Sequence, residues 1–151
     1  MKRIFLVGLI GLFLTGCGND KVTNEYLVGK WDCNNDKYES KYDSKLKEYD
    51  DYSLESSEQF KHTYKIVDGV LMVKLPSNEV VEVDLDKIYK NPTIEGKQGY
   101  CEHTINRSLI KNSSNKFTFE METFFTCSNE KGDVTKTKTK TKRERVCTRI
   151  K

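Results

Sequence analysis

Along most of the chain apolar residues alternate with polar ones, and a period of two predicts strands. The pattern is sharpest from Phe60 onward. Val67-Asp68-Gly69-Val70 reads as a two-residue hairpin turn, because Asp-Gly accepts the positive φ angles that match strand twist. That turn sets Ile66 opposite Leu71, Tyr64 opposite Val73 and His62 opposite Leu75. A second turn at Pro76-Ser77-Asn78 sets Val81 opposite Val73 and Val83 opposite Leu71. The two turns are independent, yet they assign the same residues to one face. A slip of one residue in either would turn those side chains to the other side. The expected unit is a three-stranded meander with one apolar face, its third strand running over 81–89. A looser connection through Asn91-Pro92, Gly96 and Gly99 follows.

Two more strands are expected over 100–111 and 117–127. The second places Phe117, Phe119, Met121, Phe125 and Cys127 on one face. Joined through 112–116, the pair sets Leu109 against Phe119, Ile105 against Thr123 and Cys101 against Cys127. A first strand is expected around Tyr26 to Cys33. The last carries alternating Thr and Lys over 135–142, threonines on one face and lysines on the other. Those lysines are expected to be solvated and to discourage edge-to-edge association. Beyond Lys142 the alternation falters, with Arg143, Arg145 and Arg149 sharing the parity of Cys147, and a bulge would reconcile it. Tyr38, Tyr42, Leu46 and Tyr49 recur at helical spacing, so a short amphipathic helix within 36–50 is expected, an ordered acidic loop being its rival. The fold class is mainly all-β: an up-and-down antiparallel barrel or strongly curled meander of about 7–8 strands.

The start of the chain has a different pattern. Lys2-Arg3 precedes an uncharged apolar run from Ile4 to Leu14, too short for the roughly 20 residues a membrane-spanning helix needs. It ends in Leu14-Thr15-Gly16-Cys17, which resembles the lipobox of bacterial lipoproteins. The resemblance implies a signal peptide over 1–16, diacylglycerol on the Cys17 thiol, cleavage before it and a further acyl chain (palmitate or similar) on the new amino terminus. Membrane attachment through that lipid, without a protein span, follows from it. Gly18 and Asn19, in place of an Asp after the cysteine, favour the outer membrane, on its periplasmic or surface side, in a Gram-negative host. A polar tether over 17–25 and a single β domain over 26–151 complete the expected organisation.

Export changes how the other cysteines are read. Beyond the inner membrane the surroundings are oxidising, so Cys33, Cys101, Cys127 and Cys147 are expected to form two disulfides. Cross-strand register pairs Cys101 with Cys127 and leaves Cys33 with Cys147, a bridge that requires the first and last strands to be neighbours. No closely spaced Cys or His pairs suggest zinc, and no cofactor or metal is expected.

Gly29-Lys30-Trp31 on the first strand is similar to the Gly-x-Trp of lipocalins, whose last strand supplies an arginine across the Trp. The resemblance implies a calycin-like barrel. Trp31 with Arg145 is the expected barrel-closing contact, Arg143 and Arg149 being the alternatives.

The chain has 26 basic and 23 acidic residues. Loss of Lys2 and Arg3 with the leader makes the mature domain nearly neutral. Charge is nonetheless uneven along it. Residues 32–60 hold nine acids and four lysines, and residues 131–151 hold nine basic residues and two acids. Separated fields of opposite sign steer protein partners. Neither His62 nor His103 has a catalytic partner in sequence, and no nucleophile or phosphate-cradling motif is present, so no enzyme is expected. A non-catalytic envelope lipoprotein that binds or inhibits a macromolecule is the expectation, with lysozyme inhibition or exclusion of phage or conjugating DNA as examples. The rivals are a pilotin-like assembly lipoprotein and, behind it, a small-ligand or lipid carrier. An envelope or extracellular protein is the expected partner, and nucleic acid is not.

Overall fold

The computed structural model describes residues 21–128 and 137–151. The leader, Cys17 and the first residues of the Thr-Lys alternation lie outside them.

The chain forms α1 (Asn24–Leu27), β1 (Gly29–Asp43), β2 (Glu48–Tyr49), β3 (Ser53–Val67), β4 (Val70–Lys74) and β5 (Val80–Glu82). It continues through α2 (Leu85–Lys90), β6 (Thr93–Gln98), β7 (Cys101–Ser113), β8 (Lys116–Cys127) and β9 (Thr137–Arg149). Eight strands make one curled antiparallel sheet in the order β5-β4-β3-β1-β9-β8-β7-β6, and β2 pairs with β1.

Both sequence-derived registers are present. Ile66 faces Leu71, Tyr64 faces Val73, and Val73 faces Val81. Asp68 and Gly69 have φ of 52° and 82°, the pair of positive values that the hairpin turn requires. Leu109 faces Phe119, Ile105 faces Thr123 and Cys101 faces Cys127.

The sheet is an open half-barrel. First and last strands pair along their length, so the ends of the chain meet in the middle of the sheet. Its two free margins are β5 and β6, which do not pair among the described residues. Residues 83–92 join them. With six of those ten in a helix rising 1.5 Å per residue, they span roughly 25 Å at most. Connectivity therefore keeps the margins within that reach of each other, and α2 packs against β7.

Several elements differ from the sequence reading. Residues 36–50 are not helical: they complete β1, turn, and return as β2, with Tyr42 opposite Tyr49. A spacing of four fits a strand face as well as a helix face, and pairing of β1 with both β3 and β9 decides between them. Leu46 sits exposed in the turn rather than on a core stripe. Residues 85–90 form α2 instead of extending a strand. Asp84 caps it by accepting from the Lys87 amide, and Leu85, Ile88 and Tyr89 fall at helical spacing. The proposed tether is also shorter than expected. Val22 is buried in the core, its amide donates to the Tyr89 hydroxyl, and Thr23 caps α1.

No bulge interrupts β9, whose register with β1 and with β8 is continuous. Irregularities lie instead between Lys37 and Tyr38, where β1 meets β3, and between Lys111 and Ser113, at the β7–β8 turn. Arg145, Cys147 and Arg149 therefore do share the concave face. Trp31 lies directly opposite Arg149, whose guanidinium carbon is 4.3 Å from the indole centroid. The covering arginine is Arg149 and not Arg145, because register places Arg145 four residue pairs further along, opposite Asn35. Arg149 also donates to the carbonyls of Val28, at 2.7 Å, and Tyr26. A Cβ on Gly29, whose φ is 129°, would lie 2.8 Å from that guanidinium. Glycine there permits the close approach.

Trp31 and the Cys33–Cys147 bridge are fully buried at the centre of the core. The Trp31 indole donates to the Leu27 carbonyl at 2.7 Å and meets Phe117 edge-on at 4.8 Å. Leu27, Tyr64, Leu71, Val73 and Leu85 complete this layer. Cys101–Cys127 staples β7 to β8 at the other end. Both bridges join directly opposed residues.

Candidate functional site

The concave face retains a cavity of about 220 Å³. Its wall is mainly aliphatic, from Leu75, Val81, Val83, Ile88 and Leu109, with Phe119 beside them. Three polar side chains line it, His62 and Tyr64 from β3 and Arg145 from β9. His62 is 2% exposed and stands between Phe60 and Tyr64, ring centroids at 4.6 and 6.0 Å. The Lys74 backbone lies nearby, but neither ring nitrogen has a hydrogen-bond partner among the described residues. The Arg145 guanidinium carbon sits 5.2 Å from the Phe60 centroid and 6.0 Å from that of Phe119. Among the described residues no carboxylate pairs with it, and its buried Nε has no partner.

Burial, with the adjacent Arg145 charge, holds the His62 pKa below its ordinary value of 6.5. Burial also pushes the Tyr64 phenol up. His62 is therefore neutral at pH 7. Between 6.5 and its lower native value the unfolded chain binds more protons than the folded one, so stability must fall as pH drops through that window. His62→Leu should flatten this part of the stability profile, as measured by urea denaturation from pH 7.5 to 4.5. A slope unchanged in the variant would assign the acid sensitivity to other groups.

The opposite face is polar. Lys138 and Lys140 lie over the Tyr42 and Tyr49 rings at 4.4 and 4.1 Å, and Lys142 bridges Glu120 and Glu144. Strand β9 is interior to the sheet, so these lysines do not guard an edge. Neighbouring strands supply aromatic partners that the Thr-Lys sequence itself lacks. Tyr52 reaches across to donate to Glu122.

The acidic and basic segments are likewise not separated fields. Strands β1 and β9 are adjacent, and Lys142 of β9 sits between the carboxylates of Glu120 and Glu144. The acidic character survives on β3. Its outer edge is paired with β4 only over Thr63–Val67, so residues 53–62 have a ladder partner on one side alone among the described residues. Ser53–Gln59 are all exposed, Glu55 and Glu58 among them.

His62 and His103 stand on β3 and β7 and do not meet. The His103 ring lies over Gly96, where an added Cβ would come within 2.4 Å of it. Among the described residues no group of three His, Cys, Asp or Glu could hold a metal, and no helix is long and apolar enough to cross a membrane. The cavity and the β3 edge are features that sequence reading missed. Both arise from which strands become neighbours.

No family model matches the chain, and no curated protein or solved structure matches it.

Proposed function

We propose that this protein is a non-catalytic binding module of the cell envelope, anchored by lipid on Cys17, that recognises an extended basic segment of a protein partner. In a Gram-negative host its place is the outer membrane. The observation supporting this reading is the free edge of β3. The seven exposed residues Ser53–Gln59, roughly 24 Å of strand at 3.4 Å each, leave one backbone edge without a ladder partner among the described residues. Such an edge accepts an added strand through main-chain hydrogen bonds. Glu55 is already paired with Lys37 at 2.5 Å, and Glu58, which has no ion pair among the described residues, repels a second copy of the same edge and attracts a Lys/Arg-bearing one.

A lysozyme, with a basic cleft rim, is the partner to test first. Micromolar protein should inhibit lysis of a peptidoglycan suspension, and the double variant Glu55→Lys, Glu58→Lys should weaken inhibition at least tenfold, a change of about 1.4 kcal/mol. Inhibition should also fall with added salt. No inhibition at all removes lysozyme as the partner. Equal inhibition by the charge-reversed variant removes the edge as the recognition surface.

A further inference from the structure

We infer that the concave cavity is a binding site for a small single-chain amphiphile with a carboxylate head, the head meeting Arg145 and His62 and the chain lying along the aliphatic wall. This site lies on the concave face and is independent of the β3 edge.

Size selects the class of ligand. A cavity of about 150 Å³ holds benzene, and drug-sized ligands occupy about 300–1,000 Å³. The 220 Å³ here admits one short acyl chain and excludes a two-chain phospholipid. Charge selects the head group. A cation largely removed from water ordinarily has an anion beside it. Arg145 has two aromatic rings instead, and no carboxylate among the described residues. A ligand carboxylate would supply the missing partner through charge-assisted hydrogen bonds. His62 adds a donor of the right kind. A neutral imidazole carries one N–H, and at this position neither nitrogen is engaged by the chain's described residues. An alcohol could use that donor too, but would leave the guanidinium uncompensated. An alkylammonium would bring a second positive charge against it.

The cavity also has a physical reason to stay open. Its walls come from β3–β5, α2 and β7–β9, elements placed by the curl of the sheet and by the short connection over residues 83–92. Collapse would require the two margins of the half-barrel to close on each other, and Leu85 and Ile88 of α2 form part of the wall on that side.

The test uses the full chain carrying Cys17→Ser, prepared without detergent so that no acyl chain competes. Octanoate, 1-octanol and octylammonium are titrated by calorimetry, with the His62 ring signals followed by NMR. Octanoate should bind at least tenfold tighter than octanol, octylammonium weakest of the three, and octanoate should shift the ring N–H at the lowest ligand concentration. Arg145→Gln should bring octanoate and octanol within threefold of each other, and Arg145→Lys should retain part of the preference. No octanoate binding, or equal binding of octanoate and octanol to the unsubstituted site, overturns the inference. So does a carboxylate preference that survives Arg145→Gln. The head-group comparison at the unsubstituted site decides the matter even where the Arg145 variants fail to fold.

Discussion

Replacing Cys33 and Cys147 together by alanine should lower the free energy of unfolding by about 4 to 5 kcal/mol, measured by urea denaturation at neutral pH. The bridge closes a loop with a sequence separation of 114 residues, so its removal frees most of the unfolded chain. It is also fully buried beside Trp31, and its loss leaves poorly filled volume where Phe117 and Arg149 converge. The corresponding Cys101, Cys127 variant closes a separation of only 26 residues, worth about 3.5 kcal/mol in the same chain-entropy treatment. Against a typical domain stability of about 5–15 kcal/mol, losing the first bridge removes about a third to nearly all of the margin. The order of the two effects is the discriminating result. A larger loss from Cys101, Cys127 would mean that the β7–β8 hairpin, and not the junction of first and last strands, holds the sheet together.

That junction was only partly legible in the chain. The pairing of Cys101 with Cys127 follows from two alternating segments and the turn between them, because local register is fixed once a turn and a buried face agree. The pairing of Cys33 with Cys147 needs β1 and β9 to be neighbours, and no local pattern encodes that. The same limit explains the arginines. Parity put Arg143, Arg145 and Arg149 on one face, but the choice among them depends on the register between strands far apart in sequence. With Trp31 opposite Arg149, Arg149 covers the indole, and Arg145 is left to enter the cavity.

The misread helix within 36–50 has a related cause. Tyr38 and Tyr42 are four apart, a spacing common to both periods, and polar residues surround them. Their environment is supplied by β9, whose Lys138 lies over Tyr42, and by β2, whose Tyr49 stacks edge-on with it at 5.2 Å. Those contacts favour strand over helix, and none is visible locally. The β3 edge was hidden for the complementary reason. Ser53–Phe60 reads as an unremarkable polar stretch, and its significance lies in β4 being too short to cover it. Charge totals by segment misled in the same way, since the fold lays the acidic β1 beside the basic β9. What the sequence could carry was alternation, turn chemistry and cysteine parity; what it could not carry was which distant strands share a ladder.

Once its leader is removed, Cys17→Ser protein should move quantitatively from the membrane to the soluble fraction of cell extracts, and metabolic labelling with radioactive palmitate should lose its band. The expected size of the effect follows from the anchor alone. Each acyl chain contributes about 0.8 kcal/mol per buried CH₂, so two or three chains make dissociation negligible, whereas the described domain offers no membrane-spanning helix to replace them. The substitution removes the lipid and leaves the apolar run from Ile4 to Leu14 in place, so export itself should persist. Thiol labelling then separates the two roles of the leader. Exported Cys17→Ser protein should keep all four remaining cysteines oxidised, while a chain lacking residues 2–16 and retained in the reducing cytoplasm should expose five free thiols, Cys17 included, and, without its staples, unfold at far lower urea. Palmitate incorporation that survives Cys17→Ser would place the acyl chain elsewhere and end the lipoprotein reading. Free thiols in the exported protein would separate the fold from the compartment, and the stability assigned to Cys33–Cys147 would then have to come from packing around Trp31 alone.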